Sequence, residues 1–305
     1  MSGEIKAAVL LATFNGGKYV TELLESMASQ TFKNFVLFVR DDGSSDNTIS
    51  LVRRFSKRMS MNILEAQSRV GPAKSFFELL SGAGADFDLY CFADQDDVWA
   101  GSKIERAAQK LSQFKNRPAM YCSRLEYVDE QLKHIRYSRP PRIISFENAL
   151  VENIATGCTV AINSKSRNLL LRTPPEAVYM HDWWFYVFHA AIGEVLYDDF
   201  PAIQYRQHSA NAVGAETGIV STCRKRFKRF IQRDSDGIFR VSRQALSFKS
   251  CFAGLLNQHQ TATIDLLLNK KTLPTRLRLA LCSPFVRQRE LDTFILRILF
   301  LLGRY

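Results

Sequence analysis

The chain has 305 residues, of which 46% are hydrophobic and 23% charged. That is too apolar for a disordered segment and enough for one large α/β domain or a domain with an appendage. The net charge of +11 calls for an anionic partner such as a nucleotide or a lipid surface; nucleic acid is set aside because no recognisable binding module accompanies the charge.

The first third alternates apolar runs with helical periods. AAVLLAT (7–13) predicts a strand, and KYVTELLESMASQ (18–30) a helix with Val20, Leu23, Leu24 and Met27 on one face. FVLFVR (35–40) predicts the second strand. DDGSSDNTISLVRRF then turns at Gly43 and starts a helix behind the cap candidates Ser45 and Asp46. MNILEA (61–66) predicts a third strand, VGPAKSFFELLSG a helix closed by glycine, DLYCFA (88–93) a fourth strand and SKIERAAQKLSQF its helix. Repeated strand–helix units imply an α/β, doubly wound, parallel sheet, whose ligands bind at the carboxyl ends of the strands. The polar loops after residues 13, 40 and 93 fall at that edge.

Further on, AMYCSRLEYV and EVLYDDFPAIQYRQ predict strands, with HDWWFYVFHAAIG a helix between them. From about residue 217 the chain reads as helical and basic, so a boundary is expected near 215, with a domain over 1–215 and a helical region over 216–305. RKRFKRFIQR (224–233) carries six basic residues and no acid, and the last thirty residues mix arginine with leucine and phenylalanine. Such a tail suits a solvated helical face or an amphipathic helix lying on anionic lipid. The six cysteines are scattered without a CxxC pair, as for reduced thiols in a cytoplasm, and MSGEIKAAVLLATF does not read as a signal peptide. No apolar run reaches the roughly 18–20 residues that span a bilayer. The expected location is cytoplasmic and peripheral on the inner face of the membrane.

Two acidic stretches carry the chemistry. In RDDGSSDN, Asp41 and Asp42 end a strand. They suit either a tight turn with helix-capping acids or carboxylates that accept hydrogen bonds from a base or ribose. In FADQDDVW, three carboxylates follow a buried strand. On extended backbone Asp94 and Asp96 point the same way and can face one cation, and hard Mg2+ or Mn2+ prefers such oxygens together with substrate phosphates. NGGK near Lys18 lacks the spacing of a phosphate-binding loop.

The ordered set VLLATFNGGKYVTELLESMASQTFKNFVLFVRDDGSSDNT, RVGPAKSFFELL, FADQDDVW and HDWW resembles the family 2 glycosyltransferases over roughly residues 5–215, and is most similar to their bacterial rhamnosyltransferase-like branch. The resemblance implies a GT-A-type fold, with a mixed, mostly parallel sheet and a C-terminal helical extension. It also implies an inverting transfer from a nucleotide-diphosphate sugar, with Mg2+ or Mn2+, to a glycan or lipid-linked acceptor in surface polysaccharide synthesis. By position, Thr13, Asn15, Asp41, Asp42, Lys74, Asp94, Gln95 and Arg206 would meet the nucleotide sugar, and Asp94, Asp96 and His208 the metal. Branch resemblance favours dTDP-L-rhamnose as donor over a UDP-hexose. A nucleotidyltransferase or a non-catalytic binder on a similar sheet are the other classes considered.

Inversion needs a base for the acceptor hydroxyl. Asp182 in YMHDWWFYVF stands where a helix begins, so it suits either a first-turn acid or the base, and the resemblance assigns it the base role. His181 is the second candidate. Trp183 and Trp184 suit sugar stacking or the core. YRQHSANAVG offers Arg206, His208 and Asn211 where family members close over the diphosphate, and ATGCTVAI (155–162) has small residues suited to close approach of a sugar.

Overall fold

The computed structural model describes residues 4–64, 68–173, 175, 178–208, 239–269 and 272–305. Asn211, the basic run 224–233 and the expected boundary at 215 lie outside them. By packing, the chain forms two compact units, each woven from separate stretches. The first comprises Met1–Pro140, Ala155–Arg172 and Gly193–Ser209, and the second Pro141–Ile154, Thr173–Ile192 and Ala210–Tyr305.

The first unit is built on a nine-stranded sheet. Its opening half follows the sequence rhythm: β1 (Ala7–Thr13), α1 (Val20–Ala28), β2 (Phe35–Asp41), α2 (Thr48–Arg54), β3 (Met61–Leu64), α3 (Pro72–Gly82) and β4 (Leu89–Asp94). These strands pair in parallel in the order β3-β2-β1-β4. Residues 7–11 of β1 and 89–93 of β4 are completely or almost completely buried, which is why both read as unbroken apolar runs. The buried face of α1 is the expected one, Val20, Leu23, Leu24 and Met27.

The second half is mixed. Next come β5 (Val98–Trp99), α4 (Lys103–Leu111), β6 (Ala119–Val128), β7 (His134–Tyr137), β8 (Ala161–Asn163), α6 (Ser164–Leu170) and β9 (Glu194–Arg206). β8 runs antiparallel between β4 and β6, β9 runs parallel to β6, and β5 and β7 are antiparallel edge pairs. The parallel pairs carry the longer registers. β9 holds its length against β6 through register shifts around Arg124, and Asp198 on β9 accepts from Arg106 of α4 and from the Tyr121 hydroxyl of β6.

The second unit is helical in its described residues: α5 (Phe146–Ala149), α7 (His181–Ile192), α8 (Arg240–Phe252), α9 (Gln258–Leu268), α10 (Leu273–Cys282) and α11 (Glu290–Leu301). Aromatic side chains make its core: Trp184 meets Phe248 edge-to-face at 5.6 Å, and Phe252 lies 5.0 Å from both Phe188 and Phe248. Trp183 donates from Nε1 to the Ala149 carbonyl at 2.7 Å. Both tryptophans are therefore buried packing residues. Among the described residues no helix is long and apolar enough to cross a membrane.

Candidate active site

The carboxyl ends of β1, β2 and β4 lie side by side, with Thr13 in register with Asp41 and Ala12 with Asp94. Sequence pattern put polar residues at these three ends, with acids at those of β2 and β4, and parallel pairing makes them one edge. Thr13 donates from Oγ1 to Asp41 Oδ1 at 2.8 Å. Asp41 also accepts from the Ser44 amide at 2.7 Å and hydroxyl at 2.5 Å, which closes the turn after β2. Asn15 adopts a left-handed backbone (φ 48°), and its Oδ1 accepts from the Ser45 amide at 2.9 Å. The α2 cap is Asn47, and Asp46 supports the same turn by accepting from the Thr48 amide at 3.0 Å and the Gly17 amide at 3.0 Å.

Gln95 grips the loop after β1 from the other side. Its Oε1 accepts from the Phe14 amide at 2.8 Å, and its Nε2 donates to the Phe14 carbonyl at 3.0 Å, as a neighbouring strand would. A Cβ on Gly16 would sit 2.2 Å from that Oε1, so glycine there serves close approach rather than phosphate binding. Gln95 therefore shapes this edge through backbone.

Asp42, expected at the nucleotide, is turned inward and nearly buried. It accepts from Arg40 at 2.7 Å and from the Val70 and Gly71 amides, each at 2.8 Å. Gly71 takes φ +81°, a left-handed turn that suits glycine, just ahead of Pro72 at the start of α3. Burial alone would raise the Asp42 carboxyl, but Arg40 and the two amides outweigh it and hold the group below the usual carboxylate range. Asp42 thus fastens α3 to β2, which leaves Asp41 as the acid at the open turn. Lys74 stands exposed on the first turn of α3, with no partner among the described residues.

The expectation for DQDD needs a correction in geometry. The strand stops at Asp94 and the chain turns at residues 95–96, so the i, i+2 alignment of an extended backbone does not apply. The groups that converge with Asp94 are Asp97 and Cys158, with candidate ligand atoms of all three within 4.8 Å of one another. Asp97 is fully buried, and its Oδ2 makes no hydrogen bond. Burial, with the Asp96 and Asp94 charges beside it, pushes this carboxyl well above its ordinary value. Cys158 lies in the 3-10 turn at Gly157–Thr159 that the ATGCTVAI run forms before β8. Sequence reasoning counted Asp97 among the three carboxylates without giving it a role and missed Cys158, which the β4–β8 pairing brings to the turn.

Asp96 instead faces His208, with Oδ2 and Nε2 2.8 Å apart. The His208 ring stacks on Tyr19 at 5.0 Å. Carboxylates with one imidazole suit a hard divalent cation; the turn presents them as two groups, Asp94 with Asp97 and Cys158, and Asp96 with His208.

Arg206 is corrected more sharply. The expected diphosphate contact is a 1% exposed strut. Its Nε donates to the Asp96 carbonyl at 3.0 Å, its Nη1 to the Glu130 carbonyl at 2.5 Å and its Nη2 to the Glu22 carboxylate. Its backbone amide donates to Asp97 Oδ1 at 3.3 Å, and the guanidinium lies 4.6 Å over the Tyr19 ring. It holds the DQDD turn from behind.

In the second unit, Asp182 sits in the first turn of α7 and accepts from the Trp183 amide at 2.7 Å. His181 beside it is buried, and burial pulls its pKa down to about 3. An imidazole so reluctant to take a proton is a poor general base at neutral pH, and Asp182 is itself buried at 3% exposure.

The description Glycosyl transferase family 2 matches residues 8–186, which include the whole acidic edge and Asp182. The chain belongs to this family. It is 30% identical over 216 residues to the dTDP-rhamnosyl transferase RfbG of Shigella flexneri, covering 67% of this chain and 74% of that protein. Membership sets aside the nucleotidyltransferase and non-catalytic readings. Among solved structures, Staphylococcus aureus TarS 1-349 in complex with UDP superposes with a TM-score of 0.59 at 17% identity, covering 91% of this chain and 75% of that one. A mannosyltransferase from Pyrobaculum calidifontis in complex with GDP-Man and Mn2+ gives 0.54 at 17%, covering 99% and 86%. The fold is therefore of the GT-A type, with added C-terminal helices.

Proposed function

We propose that this glycosyltransferase inverts configuration at carbon as it moves L-rhamnose from dTDP-L-rhamnose to a glycan or lipid-linked acceptor, a step of surface polysaccharide synthesis on the cytoplasmic side of the membrane. The 30% identity to a dTDP-rhamnosyl transferase over two thirds of the chain carries the donor assignment.

The nucleotide lies along the edge formed by Thr13, Asn15 and Asp41, where Gln95 and Ser44 fix the backbone that lines it. Lys74, exposed nearby in sequence to Gly71, is free to meet the donor. Asp94, Asp96 and His208 would hold Mg2+ or Mn2+, which would supply positive charge to offset that on the departing diphosphate. Asp182 takes the acceptor hydroxyl proton. The acceptor oxygen then bonds to the anomeric carbon from the face opposite the phosphate, whose bond to that carbon breaks, releasing dTDP.

Incubating the protein with a panel of nucleotide sugars and Mg2+ or Mn2+ tests this reading. It expects dTDP release from dTDP-L-rhamnose, faster with acceptor present. UDP release from a UDP-hexose alone would transfer the assignment to that donor, a reading the UDP-bound fold relative keeps in view.

A further inference from the structure

α10 and α11 each carry two apolar faces. On α10, Leu279 is buried while Leu273, Leu277 and Leu281 are exposed. On α11, Leu296, Leu299 and Phe300 are buried while Leu291, Phe294, Ile298, Leu301 and the adjoining Leu302 are exposed. These eight exposed side chains retain between 41% and 72% of their accessible surface. At about 100° per residue, the exposed set on α11 falls within an arc of roughly 100° on the side away from the buried set, and the α10 set within roughly 80°. A soluble helix has one apolar face, not two, and continuous exposed apolar surface marks an interaction site.

The charges flank these stripes. Arg276 and Arg278 lie about 100° to either side of Leu277, and Arg297 borders the α11 stripe. Residues 272–305 hold six arginines against Glu290 and Asp292, and Arg278, Arg289 and Arg304 are exposed. We propose that α10 and α11 lie in the plane of an anionic lipid bilayer, with the leucine and phenylalanine stripes in the acyl boundary and the arginines at the headgroups. Helices of 10 and 12 residues are too short to span. A second copy of this chain is disfavoured as the occupant, because it would bring arginine-flanked surfaces of a +11 protein against each other. The inference is independent of which sugar is transferred.

The test is co-sedimentation of the full chain with vesicles of phosphatidylcholine alone or with phosphatidylglycerol. Binding is expected only to the anionic vesicles and should weaken as salt rises. Phe294→Asp with Leu277→Asp should lower it roughly tenfold or more while circular dichroism and nucleoside diphosphate release stay unchanged, since neither side chain is in the core or near the acidic edge in sequence. Phe294→Trp should shift its emission to the blue on adding anionic vesicles. Failure of the wild type to bind anionic vesicles at low salt would overturn the proposal. So would a doubly substituted protein that binds as well as wild type, or a wild-type dimer that Phe294→Asp dissociates. Because vesicle binding needs no donor, this failure is distinct from failure of the sugar assignment.

Discussion

Asp96 and His208 meet at 2.8 Å across 112 residues of sequence, joining the turn after β4 to the residue pair that follows β9. The imidazole thus fixes one carboxylate of the acidic turn, and Tyr19 fixes the imidazole by stacking on it. His208→Ala should weaken Mn2+ binding by about 10–100-fold, the range found when metal ligands or their orienting partners are removed. Mn2+ electron paramagnetic resonance titration checks this; an unchanged affinity would confine His208 to a structural contact. Asp96→Asn should keep the fold and abolish metal-dependent donor binding.

Asp182→Asn should cut turnover by ~10²–10⁴ while donor affinity stays within a few-fold, the pattern for loss of a general base. His181→Gln should cost much less, because burial already keeps that ring from accepting a proton near neutral pH. Donor binding by calorimetry and single-turnover rates separate the two effects. If donor binding and fold are lost together, Asp182 is a helix-start acid only.

Arg206→Met should destabilise the protein by roughly 2–5 kcal/mol, since it leaves two inward carbonyls without their donor. Arg206→Lys should recover little, because a single ammonium cannot reach the acceptors that the guanidinium fork spans. Urea denaturation provides the measurement. A variant of wild-type stability that loses only donor affinity would return Arg206 to the diphosphate.

Asp42→Asn should show its cost as a function of pH. The folded carboxyl titrates below the unfolded value near 3.9, so its contribution is complete above that pH and is lost as pH falls through the folded value. The stability gap between wild type and Asp42→Asn should therefore be present at about pH 7 and narrow below about pH 4. A gap of constant size down to about pH 3 would place the cost in packing rather than in charge.

The parallel half of the sheet was legible because β1 and β4 are unbroken buried runs, β2 and β3 are mostly apolar, and a helical period follows each strand. β5, with two residues, and β7, with four exposed ones, carry no such pattern, and pairing alone makes them strands. The acidic positions of the site could be read from their place at strand ends. Their partners could not: Arg40 claims Asp42, His208 claims Asp96, and Cys158 meets Asp97, through contacts set by strand order. The same limit hid the interleaving of the two units, since residues 141–154 and 173–192 pack with helices far along the chain.

The reach of Arg206 also has a consequence for synthesis. It joins Glu22, Asp96 and Glu130, lying 184, 110 and 76 residues from them in sequence. At about 5–20 residues per second of translation, roughly 5–20 s separate the making of the acidic turn from the making of its strut. A nascent chain halted in that interval can pair its first four strands and still present three carboxylates with no guanidinium behind them. Nucleotide binding on the ribosome should therefore report completion of the whole first unit, not of the strands that carry the acids.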